Sequence, residues 1–113
     1  MSEAPIERVR RLCVAWPDVT ERLSHGEPTW FFRDRRSIAT GADRHHDDRV
    51  AFWLAAPPVA RDPLIDGDPE RYFIPPYVGH RGWIGVYLDV EVDWDTVEEL
   101  IANAYHTVAG RGR

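Results

Sequence analysis

The apolar positions of this 113-residue chain change period along its length, and each change marks an element. Over residues 3–16, Ile6, Val9, Cys13 and Trp16 recur at helical spacing with Leu12 beside them. Glu7, Arg8, Arg10 and Arg11 fall mainly outside that stripe, so the segment predicts an amphipathic helix. Pro17 disfavours helical geometry at Trp16 and ends it. The period then shortens to two. Residues 22–25 read as an edge strand closed by Gly26 and Pro28, residues 29–32 as an aromatic strand, and residues 36–40 as the next. In residues 50–55, Val50, Phe52 and Leu54 alternate with Ala51, Trp53 and Ala55. A tight link over residues 33–35 and a polar hairpin loop over residues 41–49 join these strands. Pro57, Pro58, Pro63 and Pro69 rule out one long helix across residues 56–74. Asp62-Pro63 and Asp68-Pro69 each fit a helix start, predicting one or two short helical turns. Residues 83–90 form the cleanest strand, with Ile84, Val86, Leu88 and Val90 on one face and Trp83, Gly85, Tyr87 and Asp89 on the other. A final helix starts at Asp93, stapled by Val92 and Val97. Its apolar face runs Val97, Leu100, Ile101, Ala104, Tyr105, Val108, with Gly110 expected as C-cap.

Short links between strands favour antiparallel pairing with the helices gathered on one side. The expected architecture is an α+β two-layer sandwich, one domain over residues 1–113. Its antiparallel sheet has about five strands, with N-terminal and C-terminal helices packed on one face.

Charge narrows the function classes. All 14 basic residues are Arg, which fits the codon bias of a GC-rich bacterial genome, and the net charge is -5. An acidic chain repels phosphate backbones at long range, so nucleic-acid contact needs a segregated basic patch. The single cysteine excludes an internal disulfide, and its place in the first apolar stripe makes Cys13 a packing residue. No run approaches the ~18 apolar residues of a membrane span, and residues 1–11 lack an apolar signal core. The expectation is a cytoplasmic protein with no membrane partner.

Several blocks carry a resemblance. Pro17-Asp18-Val19-Thr20-Glu21 follows the first helix, and His25-Gly26-Glu27-Pro28-Thr29-Trp30-Phe31 continues the pattern. The run from Asp68-Pro69-Glu70-Arg71-Tyr72-Phe73 through Ile74-Pro75-Pro76-Tyr77-Val78-Gly79-His80-Arg81-Gly82-Trp83 is its strongest part, and Trp94 with the closing helix completes it. In order and spacing these blocks resemble the MmcQ/YjbR family, in an actinobacterial-looking branch. The resemblance implies a fold similar to that of type III secretion chaperones, and a DNA-binding role through two strand-loop wings. It supplies no catalytic residues. Some relatives carry a phosphoribosylglycinamide formyltransferase label, but the chain is too short for that enzyme and lacks its Asn/His/Asp set. Many relatives place a Gly-Gly-Lys turn between the second and third strands. Here the turn is Arg33-Asp34-Arg35-Arg36, so any positive φ must come from Asp34 or from a longer loop.

Two clusters stand out as binding candidates. Arg33, Arg35 and Arg36 form a basic hairpin tip whose guanidinium forks suit phosphate, or a solvated turn partly neutralised by Asp34. Tyr77, His80, Arg81 and Trp83 interleave aromatic rings with cations, a pattern for single-stranded nucleic acid or a planar anionic ligand; the alternative is a tight loop whose aromatics pack locally. The Trp83/Tyr87 sheet face offers a third surface, for a small ligand, a protein partner or a homodimer. The run Asp43-Arg44-His45-His46-Asp47-Asp48 has metal-ligand residue types without a spaced ligand frame, so no metal is expected there. His25 and His80 are a conceivable acid–base pair, but no nucleophile, phosphate-binding glycine loop or metalloprotease motif accompanies them. The reading is a non-enzymatic binding module without cofactor that, as the resemblance implies, contacts nucleic acid through these basic loops. The alternative is a protein-interaction or small-ligand module using the Trp83/Tyr87 face.

Overall fold

The computed structural model describes residues 3–44, 47–57 and 59–111. Helix α1 spans Pro5–Val14, with Pro5 supplying the pre-set φ of a first helical residue. Strands β1 (Val19–Ser24), β2 (Glu27–Phe32), β3 (Arg36–Asp43) and β4 (Val50–Leu54) follow as a meander. After helix α2 (Arg61–Gly67) come β5 (Tyr72–Phe73), a 3₁₀ turn at Gly79–Arg81, β6 (Ile84–Tyr87) and helix α3 (Trp94–Arg111). The sheet has six strands in the order β1-β2-β3-β4-β6-β5, every neighbouring pair antiparallel.

The α+β sandwich is therefore as the sequence leads one to expect, with several local differences. Helix α2 begins at Arg61 with Ala60 at its N-cap, so Asp62 lies inside the first turn and does not cap it. β1 starts at Val19, β3 runs on to Asp43, and β6 ends at Tyr87 instead of continuing to residue 90. The sixth strand, β5, holds two residues, too short to show a period of its own. It pairs Tyr72 with Val86 and Phe73 with Gly85. The missing side chain at Gly85 leaves room for the Phe73 ring, which stacks on Tyr87 at 4.3 Å between centroids; a Cβ at position 85 would overlap that ring. Asp68-Pro69 starts a turn instead of a second short helix, since Tyr72 and Arg71 both donate to the Asp68 carbonyl. Trp83 precedes β6 instead of opening it. Gly110 does not cap α3: it is not among the glycines at positive φ, and the helix continues to Arg111.

Alternation sorts the strands into two faces. One bears Trp30, Leu54, Phe52, Ile84 and Val86, all at most 1% exposed, and receives α1 and α3. Phe32 meets Tyr105 of α3 edge-on, and Trp30 Nε1 donates to Glu21 Oε1, which Arg10 of α1 also reaches. Cys13 lies in this core with no exposed surface, and burial pushes its thiol upward. It is the packing residue its stripe implied. At the start of α3, Asp93 Oδ1 accepts the Thr96 N–H at 3.2 Å as an N-cap, which holds the Asp93 carboxyl below its ordinary range.

A charged clamp ties β4 to the end of β6. Arg49 donates twice to Asp89, at 2.9 and 2.8 Å, and Val50 N–H adds a third bond at 3.0 Å. Arg49 also covers the Tyr87 ring, 3.7 Å from its centroid. The guanidinium lowers the Asp89 carboxyl to about 2 from an ordinary 3.8. Because the folded value is depressed, the clamp's contribution is complete above the unfolded value and is lost as pH falls through about 2. Asp89→Asn is expected to cost about 1 kcal/mol at pH 7 after solvent screening. In urea titrations the gap to the parent protein closes between about pH 4 and pH 2.

Candidate functional site

Neither α1 nor α3 packs on the second sheet face. It bears Thr29 and Phe31 of β2, Ser37 and Thr40 of β3, Ala51 and Trp53 of β4, and Gly85 and Tyr87 of β6. A bulge re-aims β3 here: Trp30 pairs with Ala39 but Phe31 with Ser37, so Ile38 is the extra residue. That extra residue brings Ser37 and Thr40 to the same face, which strict alternation would have separated.

A strap over residues 75–83 crosses this face and turns part of it into a pocket. The pocket holds about 510 Å³, with Phe31, Trp53 and Trp83 as apolar walls. Thr29, Ser37 and Thr40 supply hydroxyls, and His25, Glu27, Tyr77 and Arg81 stand at its margins. The volume is in the range of sites for small molecules.

Three backbone features set this geometry. His25 and Gly26, at φ 54° and 81°, form the two-residue mirror-image turn between β1 and β2 and carry His25 to the pocket. Tyr77 sits at φ 65° while Val78 N–H donates to the Pro76 carbonyl at 2.7 Å. This is the positive-φ form of the γ-turn, a strained conformation for a bulky residue, and it presents Tyr77 at 73% exposure beside the pocket. Arg61 of α2 then pins the strap from behind: its Nη1 donates to the Gly79 carbonyl at 2.6 Å and to the Trp83 carbonyl at 3.3 Å.

The structure thus divides the residues singled out from sequence. Tyr77, Arg81 and Trp83 line one pocket, joined there by His25, whereas exposed His80 is not among its lining residues. Trp83 is 3% exposed, so it packs as a wall and has little surface left for a dimer partner. Tyr87 lies farther along the face, taken up by Phe73 and Arg49. Arg81 remains exposed with its Cζ 5.3 Å from the Trp83 ring centroid, and no described carboxylate pairs with it.

Arg33, Arg35 and Arg36 line a different hollow with Phe32. Both central residues of their turn, Arg33 and Asp34, take positive φ (53° and 56°), and Arg35 N–H donates to the Phe32 carbonyl. Arg33 shares with Asp34 a role for which the sequence pointed to Asp34 or a longer loop. Asp18 pairs with Arg33 at 3.4 Å, and Asp34 with Arg22 at 3.6 Å, so carboxylates are built into this tip. Arg35 and Arg36 are exposed and pair with no described carboxylate. In the 43–48 loop, His45 and His46 lie outside the described residues; Asp43 pairs with Arg44, and Asp47 accepts the Arg49 N–H. Among the described residues no group of His, Cys, Asp and Glu could hold a metal ion, and no helix is long and apolar enough to cross a membrane.

Sequence reasoning missed Thr29, Thr40, Ser37, Phe31 and Trp53 as pocket residues, and Arg61 as the strap's anchor. Alternation signals Thr29, Phe31 and Trp53 as one face. The bulge that adds Ser37 leaves no mark in the residue pattern.

Comparison with known proteins fits this fold. The YjbR family model matches residues 14–107. A crystal structure of the Deinococcus radiodurans protein DR2400, domain DUF419, superposes with a TM-score of 0.80 at 17% identity, covering 97% of this chain and 82% of that one. At that identity the likeness shows the shared fold. No curated protein matches the chain. With a family model matched over most of its length and the six-stranded, helix-backed sheet in place, the chain belongs to the YjbR family.

Proposed function

We propose that this protein is a non-enzymatic binding module whose site is the strapped pocket on the second sheet face, and that its ligand is a small flat molecule. The observation that carries this reading is the pocket itself. Three aromatic walls enclose about 510 Å³ under a strap held in strained geometry. Apolar walls with a few directed polar groups are the usual make-up of a ligand site. Strain at Tyr77 costs on the order of 1–3 kcal/mol, which the surrounding structure must offset. Equilibrium dialysis with 3-methylindole tests the reading. Saturable binding that weakens at least tenfold in Trp83→Leu is expected; uptake that does not saturate, or that the substitution leaves unchanged, overturns it.

Contact with nucleic-acid phosphates through Arg33, Arg35 and Arg36 is a second reading, supported by the exposure of Arg35 and Arg36 at a fixed turn. Asp18 and Asp34 at the same tip weigh against it, as does the net charge of -5. Fluorescence anisotropy with duplex and single-stranded DNA separates the two. Binding tighter than ~100 μM at 50 mM salt, lost in Arg35→Ala/Arg36→Ala, is the outcome this second reading requires.

A further inference from the structure

The pocket has a hydrogen-bond polarity. Thr29 is the one buried polar residue among those described, at 3% exposure, and its hydroxyl lies 2.7 Å from that of Thr40. Thr29 Oγ1 also stands 3.1 Å from the Glu27 carbonyl, whereas the other carbonyl open to the pair, that of Gly41, is 3.5 Å from Thr40 Oγ1. Each hydroxyl has one proton. Good O–H···O bonds fall near 2.5–3.0 Å, and the 3.1 Å contact to Glu27 lies nearer that range than the 3.5 Å contact to Gly41. This favours the path in which Thr40 donates to Thr29 and Thr29 to Glu27. Both protons are then spent inside the sheet. What Thr40 turns toward the pocket is lone pairs, and a ligand must meet them with an N–H or O–H of its own, since an unmet buried acceptor is costly.

Arg81 gives the opposite sign at the margin. Its guanidinium lies beside the Trp83 wall and pairs with no described carboxylate. A flat ligand held between the pocket's walls therefore brings an acidic substituent within reach of that cation, which itself lies over the Trp83 ring. We infer that the pocket selects a planar aromatic acid bearing an N–H donor on its ring. The N–H meets the Thr29–Thr40 relay, and the acid meets Arg81. This rests on the pocket being the binding site, and it names the class of molecule taken there.

Three probes of one shape test it by isothermal titration: indole-3-acetate, 1-methylindole-3-acetate and 3-methylindole. Indole-3-acetate is expected to bind at least tenfold more tightly than its N-methyl analogue and at least threefold more tightly than 3-methylindole. Thr40→Val should remove the first difference and leave the second. Arg81→Gln should do the reverse, and added salt should shrink only the acid's advantage. Comparing probes on the unaltered protein keeps the test independent of whether a variant folds. If all three bind equally, or if Thr40→Val retains the N–H preference, the proposed polarity is overturned while the pocket reading stands. If none binds up to 10 mM, about the weakest binding such titrations register, both are overturned.

Discussion

Trp30→Ala is expected to destabilise the protein by about 3–5 kcal/mol, a large part of the ~5–15 kcal/mol that holds a domain of this size together. Trp30 has no exposed surface and sits in β2 beneath the helices. Its removal leaves a cavity that the sheet cannot close, because β2 is hydrogen-bonded to strands on both sides. It also removes the N–H that meets Glu21 Oε1 at 2.9 Å. Trp30→Phe separates the two effects: it retains most of the volume, loses the hydrogen bond and should cost only ~1–2 kcal/mol. Thermal denaturation followed by circular dichroism should show the alanine variant melting roughly 10–20 °C lower. A drop below 5 °C would mean that the core does not depend on this ring.

The second large effect is expected at Arg61, a residue that the sequence did not single out. One guanidinium nitrogen joins α2 to two carbonyls of the strap. Hydrogen bonds to a charged donor contribute more than neutral ones, so Arg61→Ala should cost about 2–3 kcal/mol locally. The loss should not spread evenly. The strap has little regular structure beyond the turn at Gly79–Arg81, while the sheet keeps its ladder. Hydrogen exchange should therefore accelerate at Val78, Arg81 and Gly82, whose N–H groups donate within the strap, and stay unchanged in β2 and β3. Binding of 3-methylindole should weaken with it. Arg61→Lys should fall between the two, since an ammonium cannot reproduce the planar fork.

The layout of helices and strands was legible because each long element carries its own period. The α1 stripe, the alternation of β4 and β6 and the α3 face all reappear, with Val9 and Cys13 buried from α1 and Val97, Leu100, Ile101, Ala104 and Val108 from α3, while Ile6, Leu12, Trp16 and Tyr105 are half-buried. What escaped was set by groups distant in sequence. β5 exists because Gly85 of another strand makes room for Phe73. The pocket needs a bulge, a strap and an arginine from α2 to meet. Its rim was legible, since Tyr77, Arg81 and Trp83 form a local run of rings and charge. Its floor was not: Thr29 and Thr40 stand eleven residues apart and become a relay only when β2 and β3 pair. The run also overreached, since His80 sits beside Arg81 in sequence but does not line the pocket.

The tryptophans offer the most direct test of the proposed binding site. Of the five, Trp53 and Trp83 wall the pocket, whereas Trp16, Trp30 and Trp94 do not line it. In a ¹H–¹⁵N spectrum each indole N–H gives its own signal. Titration with indole-3-acetate should move the signals of Trp53 and Trp83 along saturating curves with one shared dissociation constant and leave those of Trp16, Trp30 and Trp94 in place. Movement confined to the latter three, or no saturable movement of Trp53 and Trp83, would contradict a binding site on the second sheet face.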